Sequence, residues 1–403
     1  MRGTVWAVAN QLGVVATTPA ELQSALLSGP PRGPVRLAPL GHDPEKLGEL
    51  ARILGEFGHG RIVLESSGAQ APGPEPAPPP PPDPHPGDPA ALCAADPLKV
   101  TAAFEADEDD RGGLRTAWLR AGQALVREQE PADRALVLLA ALPPDAPAVL
   151  RAALGALAAA ADWSVADRWE APGPVVALAD FAGRLLVADQ SGTVHGLDER
   201  RPVSVPTAAR IRALAALPDA TLLILDERGR LRTRGPGSAL TRAVAATLEV
   251  HPGTALAVGG GAIAVGDRTG SVHAFGPAGL DQAALHVGRV TALGAAGPVV
   301  FSGGADGAVR CWRPGRPGRT GRTAGGEDLA ERGHAVVALH AAITGRGPAV
   351  AVAWADGLAE LYGPGPGPSP GFRPGPAVRA VAATRSGELV VATDEALVML
   401  RPH

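Results

Sequence analysis

Val299–Trp312 reads VVFSGGADGAVRCW, and the fold follows from how this stretch is interpreted. Val299, Val300 and Phe301 form a short β-prone run, Ser302–Ala305 is a patch of small residues, and Val309, Cys311 and Trp312 close it. Asp306-Gly307 lies between the two runs, and an Asp-Gly pair so placed predicts a β-hairpin whose tight turn needs positive φ. A single hairpin is marginal in water, so the reading depends on recurrence.

The pattern recurs in LLVADQSGTVHGL (185–197), LLILDERGRL (222–231), AIAVGDRTGSVHAF (262–275) and AVAVAWADGLAELY (349–362). A last copy, LVVATDEALVML (389–400), has Glu395-Ala396 at the turn. The turn glycines fall at 192, 229, 270, 307 and 357, and Ala396 is the sixth marker, giving spacings of 37, 41, 37, 50 and 39. A period near 40 with several short strands per unit predicts propeller blades. A further strand precedes each hairpin, at VVAL (175), IRAL (211), VTAL (290), VVAL (336) and VRAV (378). For the third unit, Val244–Val250 and Thr254–Val258 compete for that place. Val165–Glu170 is expected to pair beside Ala396–Leu400 and close the ring, because an unpaired last edge would expose a row of backbone donors and acceptors.

The chain resembles the WD-repeat family over about 230 residues, from near Pro174 to the C-terminus. The likeness rests on Gly333-His334 ahead of VVAL, the Asp306-Gly307 and Asp356-Gly357 turns, and Cys311-Trp312. It implies a C-terminal propeller of about six blades that presents a rigid face to a protein partner. By analogy with such propellers, Arg228, Arg268, Arg289, Asp306, His334 and Asp356 should share the face carrying the hairpin turns. The Ala, Gly and Pro excess, with arginine far outnumbering lysine, matches a GC-rich, actinobacterial-like genome.

Upstream, residues 1–67 read as α/β. Asp43-Pro44 is a helix start, Leu47, Leu50, Leu54 and Phe57 keep helical spacing, and Val35–Leu40 and Arg61–Glu65 flank them as strands, a βαβ unit. PVRLAPLGHDPEKLGELARILGEFGHGRIVLES resembles the middle of a STAND-type P-loop NTPase core. The P-loop itself is absent, since neither Lys46 nor Lys99 follows glycine or precedes Ser or Thr. The resemblance therefore implies a remnant with no nucleotide site.

Residues 68–89 are a Pro-rich linker, GAQAPGPEPAPPPPPDPHPGDP, read as a spacer. Residues 90–162 read as a helical connector: Leu114, Trp118, Ala121 and Leu125 make one stripe, with helices expected at Ala132–Leu142 and Pro147–Ala161. The acidic Glu105–Asp110 leads a helix rather than binding a cation. The remaining residues, 163–403, are assigned to the propeller, so the fold class is multidomain and mainly β.

Of 403 residues, 45% are hydrophobic and 19% charged, and the net charge is −4, which exerts no global pull on nucleic acid or anionic membranes. Two distant cysteines, Cys93 and Cys311, exclude a disulfide scaffold and fit a reducing compartment, so the cytoplasm is expected. The longest apolar run, Ala135–Leu142, stops at Pro143-Pro144 and is too short to span a bilayer. Gly367–Gly371 matches G-x-S-x-G, but its surroundings are proline-rich loop, not strand and helix. Gly259–Ala264 matches G-x-G-x-x-A, but β-type sequence follows. His195 and His273, each three residues after a turn glycine, read as strand histidines bonded across the blade. Arg313, Arg316, Arg319 and Arg322 read as a solvated loop. No catalytic constellation, metal site or cofactor motif emerges. The expected function is a non-catalytic interaction or regulatory scaffold with a protein partner. The alternatives are a truncated STAND-type NTPase with a WD-repeat sensor, or a propeller hydrolase.

Overall fold

The computed structural model describes residues 1–28, 35–37, 44–55, 62–64, 87–181, 183–197, 202–204, 210–315, 326–363 and 371–403. Most of the Pro-rich linker, Arg316, Arg319, Arg322 and Ser369 lie outside them. The chain divides into two compact units, Met1–Ser164 with Arg373–Ala377, and Val165–Phe372 with Val378–His403.

In the first unit, α1 (Arg2–Leu12), α2 (Pro19–Ser28), β1 (Val35–Leu37), α3 (Pro44–Gly55) and β2 (Ile62–Leu64) precede five further helices. These are α4 (Pro89–Ala94), α5 (Pro97–Ala106), α6 (Leu114–Leu125), α7 (Pro131–Ala141) and α8 (Ala148–Leu157). β1 and β2 pair in parallel, Val35 opposite Ile62, as the βαβ reading requires. Asp88 and Asp96 cap α4 and α5 ahead of a proline, satisfying N–H groups that the helices leave unpaired. α1 buries Val5, Val8 and Leu12 against Leu22, Leu50 and Leu54. It also packs on α6, where Gly122 leaves room for the Trp6 ring. Gln123 fastens that contact, accepting from the Ala16 N–H at 2.9 Å and donating to the Val14 carbonyl at 2.7 Å.

The second unit is a ring of six antiparallel sheets. β3 (Trp163–Glu170) comes first in sequence, and blade one follows as β4 (Val175–Phe181), β5 (Arg184–Asp189), β6 (Val194–Gly196) and β7 (Pro202–Ser204). Blade two is β8 (Ile211–Ala216), β9 (Leu222–Asp226) and β10 (Leu231–Arg234), after which α9 (Ala239–Val250) leads to blade three. Blade three is β11 (Ala255–Gly259), β12 (Ala262–Gly266), β13 (Ser271–Gly276) and β14 (Gly279–Ala284); blade four is β15 (Val290–Ala296), β16 (Val299–Gly304), β17 (Ala308–Trp312) and β18 (Glu327–Glu331). Blade five is β19 (Val336–Thr344), β20 (Gly347–Trp354), β21 (Ala359–Tyr362) and β22 (Gly371–Phe372). Blade six comprises β23 (Ala380–Ala383), β24 (Leu389–Ala392) and β25 (Ala396–Pro402), and β3 adds its outer strand. The Ala171 N–H donates to the Glu395 carbonyl at 2.9 Å where β3 ends. The two ends of the repeat region thus share one sheet, and the last edge is paired as expected.

Apolar faces meet between neighbouring blades. Phe301, Val309, Val350, Val352 and Trp354 pack between blades four and five, and Val187, Ala382, Val390 and Leu397 between blades six and one. Each of the Val, Leu and Phe side chains contributes about 1.5–3 kcal/mol when fully buried, so the ring is held by many inter-sheet seams.

Two expectations change. Val244–Val250 is not a strand but the end of α9, begun by a capping box in which Ser238 and Thr241 satisfy each other's backbone N–H. The hairpin turns have positive φ at the glycine alone: 89° at Gly192, 80° at Gly229, 100° at Gly270, 79° at Gly307 and 82° at Gly357. In four of the five, the glycine N–H bonds to the carbonyl three residues back, a type I turn followed by a left-handed glycine, so the preceding Asp306 or Asp356 needs no unusual φ.

Candidate functional site

The second-to-third-strand turns and the residues just before each first strand lie at the same end of the blades. Backbone bonds link them: Gln190 N–H to the Pro174 carbonyl, Glu227 to Arg210, Ala305 to Arg289 and Ala355 to Ala335, all at 2.8–3.0 Å. All six residues expected on the turn face are at this end, but they divide into two kinds.

Asp306 and Asp356 are built into the framework. Asp306 Oδ1 lies 3.0 Å from His286 Nδ1, and Oδ2 accepts from the Val287 N–H at 2.9 Å. His286 has a fully buried side chain, and its Nε2 meets Ser302 Oγ at 2.9 Å. A carboxylate can only accept, so the imidazole carries its proton on Nδ1 and takes the serine hydroxyl on Nε2. Burial drives the His286 pKa down, with Asp306 opposing. Burial alone would raise the Asp306 pKa, but the N–H groups of Val287 and Ala308 and the His286 ring outweigh it and hold the carboxyl below its usual range. Gly304 is essential to the arrangement, because a Cβ there would strike both the His286 ring and the Asp306 carboxylate.

Asp356, only 6% exposed, takes the equivalent place in blade five. Its Oδ2 lies 3.3 Å from Arg332 Nη2 but 3.8 Å from His334 Nε2. The Arg332 guanidinium also stacks over the Trp354 ring at 5.4 Å. Of the two bases near Asp356, Arg332 is therefore the closer, and His334 of the Gly-His pair makes the longer contact. Arg332 and His286, each four residues ahead of the first-strand Val336 and Val290, hold the two carboxylates. His286 was missed because Leu285, not glycine, precedes it; its distance from Val290 was the available signal.

Blades one to three use another carboxylate, at the last residue of the second strand. Asp189 accepts from the Thr193 N–H and pairs with His195 Nε2 at 3.0 Å, and Asp267 accepts from the Thr269 and Ser271 N–H groups and pairs with His273 Nε2 at 3.0 Å. Asp226 repeats this with Arg232 Nε at 3.2 Å. His195 and His273 thus bond across their blades, as the sequence predicts. Burial works against the charge of Asp189 and Asp267, but these hydrogen bonds prevail and both carboxyls sit below the ordinary range.

The exposed members of the face are Arg228, Arg268 and Arg289. Arg212, not singled out from the sequence, lines the axial channel, a cavity of about 80 Å³ that also touches Thr254, Thr291 and Arg379. Arg379 is neutralised by Asp394 at 2.7 Å. Arg212 is not neutralised: burial and the nearby charges of Arg289 and Arg268 lower its pKa, against the pull of Asp226 and Glu227. Among the described residues, the side chains of Arg212, Arg228, Arg268 and Arg289 form no hydrogen bond or ion pair.

Deeper in the channel, His340 lies beside Leu178, Asp180 and Leu214, and its Nδ1 accepts from the Ala383 N–H at 3.2 Å. Burial pushes its pKa down to about 4, with Asp180 opposing, so the ring is neutral at physiological pH. Among the described residues no cluster of His, Cys, Asp and Glu could hold a metal ion, and no helix is long and apolar enough to cross a membrane. Cys93 and Cys311 are both unbridged.

No family model matches the chain, and no curated protein matches it in sequence. Among solved structures, it is similar to the computationally designed Ika8 protein at 20% identity, covering 56% of this chain and 70% of that one with a TM-score of 0.38. It is also similar to the β-propeller domain of Myceliophteria thermophila Cps50 (Swd1), at 12% identity, covering 56% of this chain and 83% of that one with a TM-score of 0.41. The propeller architecture rests on the strand pairing described above.

Proposed function

We propose that the chain is a non-catalytic interaction scaffold, working in the cytoplasm, whose turn face takes an acidic segment of a protein partner. One observation carries the reading: Arg212 lines the axial channel with Arg289 and Arg268 near enough to repel it, and none of the three has an ion pair among the described residues. Asp226 and Glu227 offset this repulsion only in part, whereas Asp306 and Asp356 are spent on the framework. Like charges brought together without counter-charge lower stability, and a carboxylate-bearing partner would relieve that cost. Protein is favoured over nucleic acid because no aromatic side chain interleaves with these arginines to stack bases.

The test is capture from the native host, comparing the wild-type chain with an Arg212→Glu, Arg268→Glu, Arg289→Glu variant of unchanged melting temperature. A partner held by the wild type and released by the variant, with retention falling as salt rises from about 50 to 300 mM, supports the proposal. Equal recovery on both overturns it.

A further inference from the structure

Blade two departs from its neighbours in a way that creates a second feature. The other five blades have a fourth strand, and here α9 follows the third strand instead. The helix starts after Gly235–Ser238 at one end of β10 and finishes at the other, where the Gly253 N–H donates to the Gly229 carbonyl at 2.9 Å. It buries Val244 and Leu248 with Leu231, Leu256, Ile263 and Val265. A helix is about 10 Å across, whereas strands in a sheet lie about 4.8 Å apart. A helix in a strand's place cannot fill the same wedge between two blades.

The space left is a groove of about 460 Å³ between the C-terminal half of α9 and the outer part of blade three. Leu248, Val250 and Pro252 line one wall, and Val265, Phe275 and Leu280 the other. At its rim Val250 is 72% and Leu280 57% exposed, an unusual concentration of uncovered aliphatic surface. One of its polar groups, the Arg268 guanidinium, is a pure donor and the only charged donor in the lining. Asp267 is saturated by the Thr269 and Ser271 N–H groups and by His273. Arg268 stands at the mouth with no partner among the described residues. The dimensions and composition are those of a small-molecule site, an apolar body of space with a few placed polar groups.

We propose that this groove binds a small amphipathic carboxylate, its aryl or acyl body against Leu248, Val265 and Phe275 and its carboxylate on Arg268. Charge complementarity selects the head group, because the only carboxylate in the groove is already satisfied and the guanidinium is not. The site does not depend on the turn-face reading and shares only Arg268 with it.

Saturation-transfer NMR and calorimetry on the full chain test this, with 4-phenylbutyrate as the probe and its uncharged amide as the control. The carboxylate should bind saturably with a sub-millimolar constant, and the amide about tenfold more weakly or less. Arg268→Ala should reduce carboxylate binding to the level of the amide. Leu280→Asp, at an exposed position where folding is not at stake, should abolish both. No saturable binding up to about 5 mM overturns the proposal. So does equal binding of the amide, which would make the groove a plain apolar contact for a partner's side chain, or binding indifferent to both substitutions. Leu280→Asp leaves the turn face intact, and an Arg212→Glu, Arg289→Glu variant of the turn face that spares Arg268 leaves the groove intact, so failure of one reading is separable from failure of the other.

Discussion

Blades one to three and blades four and five build the same hairpin turn from the same period of sequence, yet secure it with carboxylates drawn from different places. Three residues before the turn glycine stand Asp189, Asp226 and Asp267 in the first group, and Gly304 and Trp354 in the second. One residue before it stand Ser191, Arg228 and Thr269, against Asp306 and Asp356. In the first group the acid pairs with a base six residues on in its own hairpin, so the bond is local. In the second the acid takes a base from the loop leading into the blade, His286 or Arg332, and the bond ties non-adjacent parts of the chain together, although Asp306 also keeps a local pair with Arg310 at 3.3 Å. A local pair gains little over its own solvation, and a buried pair between segments is costly to break. Stability should therefore be unevenly spread around the ring.

The largest effect should come from the turn both groups share. Gly307 has a φ of 79°, and a Cβ there would run into the Arg332 carbonyl, so Gly307→Val combines backbone strain with a clash. A loss of about 3–5 kcal/mol in urea unfolding is expected. Ala396→Val, in the one hairpin without a left-handed glycine, should cost under about 2 kcal/mol. Equal losses would show that the turn conformation is not what limits the substitution.

Next comes the direct comparison of the two pairs. His286→Ala leaves Ser302 and Asp306 without their shared partner in a buried place and should cost about 2–4 kcal/mol. His273→Ala, at a side chain 25% exposed whose bond stays within one hairpin, should cost about 1 kcal/mol or less. Double-mutant cycles with Asp306 and Asp267 should give a larger coupling for the inter-segment pair. Coupling of similar size would erase the distinction between the two groups of blades.

A smaller effect separates the channel from both groups by its pH dependence. His340 has a folded pKa of about 4, below an unfolded value of about 6.5. Between those values the unfolded chain binds more protons than the folded one, so stability falls as pH drops through this window and is complete above it. The contribution is about 1–3 kcal/mol, the channel's access to water reducing what full burial would give. Chemical unfolding of His340→Gln at pH 7 and pH 4.5 should show that part of the pH dependence removed. The depressed carboxyls of Asp189, Asp267 and Asp306 act lower, their contribution being lost only as pH falls from about 4 through their folded values.

Much of this was legible from residues. The five glycines fixed the hairpins, and the count of strands left over at the C-terminus pointed to Val165–Glu170 as the missing edge. What escaped was where a local rule had two solutions. Val244–Val250 is rich in β-branched and apolar residues and passes for a strand, although Leu240, Val244 and Leu248 fall four apart and Ser238 and Thr241 form a cap. With α9 read as a possible strand, the groove beside it had no reason to exist. Arg212 was passed over because it sits inside a strand-like run, IRAL, where its position at the axis depends on six blades meeting. The α/β unit showed its parallel pairing in sequence, and nothing in the comparisons supports the NTPase likeness drawn from it.

The smallest expected effect bears most directly on how family patterns map onto this chain. Gly333-His334 is the one pair that looks like a WD-repeat signature, and the likeness places His334 with Asp356 on the turn face while giving Arg332 no part. The geometry brings Arg332, not His334, closest to Asp356. Arg332 is within 3.3 Å of a nearly buried carboxylate and covers Trp354, whose indole N–H is itself held by Glu360 at 2.6 Å. His334 reaches Asp356 only at 3.8 Å and keeps 29% of its side chain in solvent. Val336 accounts for the shift. Its counterpart Val290 is preceded by its clamp at a distance of four residues, and the same count from Val336 ends on Arg332, two residues short of the histidine. Arg332→Ala should therefore lower stability by about 1–2 kcal/mol through the lost ion pair and cation–π contact, and His334→Ala by less than about 0.5 kcal/mol. Restoring the motif's register by exchanging the two side chains, Arg332→His with His334→Arg, should recover most of the Asp356 contact if the position decides the role. If His334→Ala proves the costlier of the two single changes, the clamp is set by the Gly-His pair after all and the equivalence drawn between His286 and Arg332 fails.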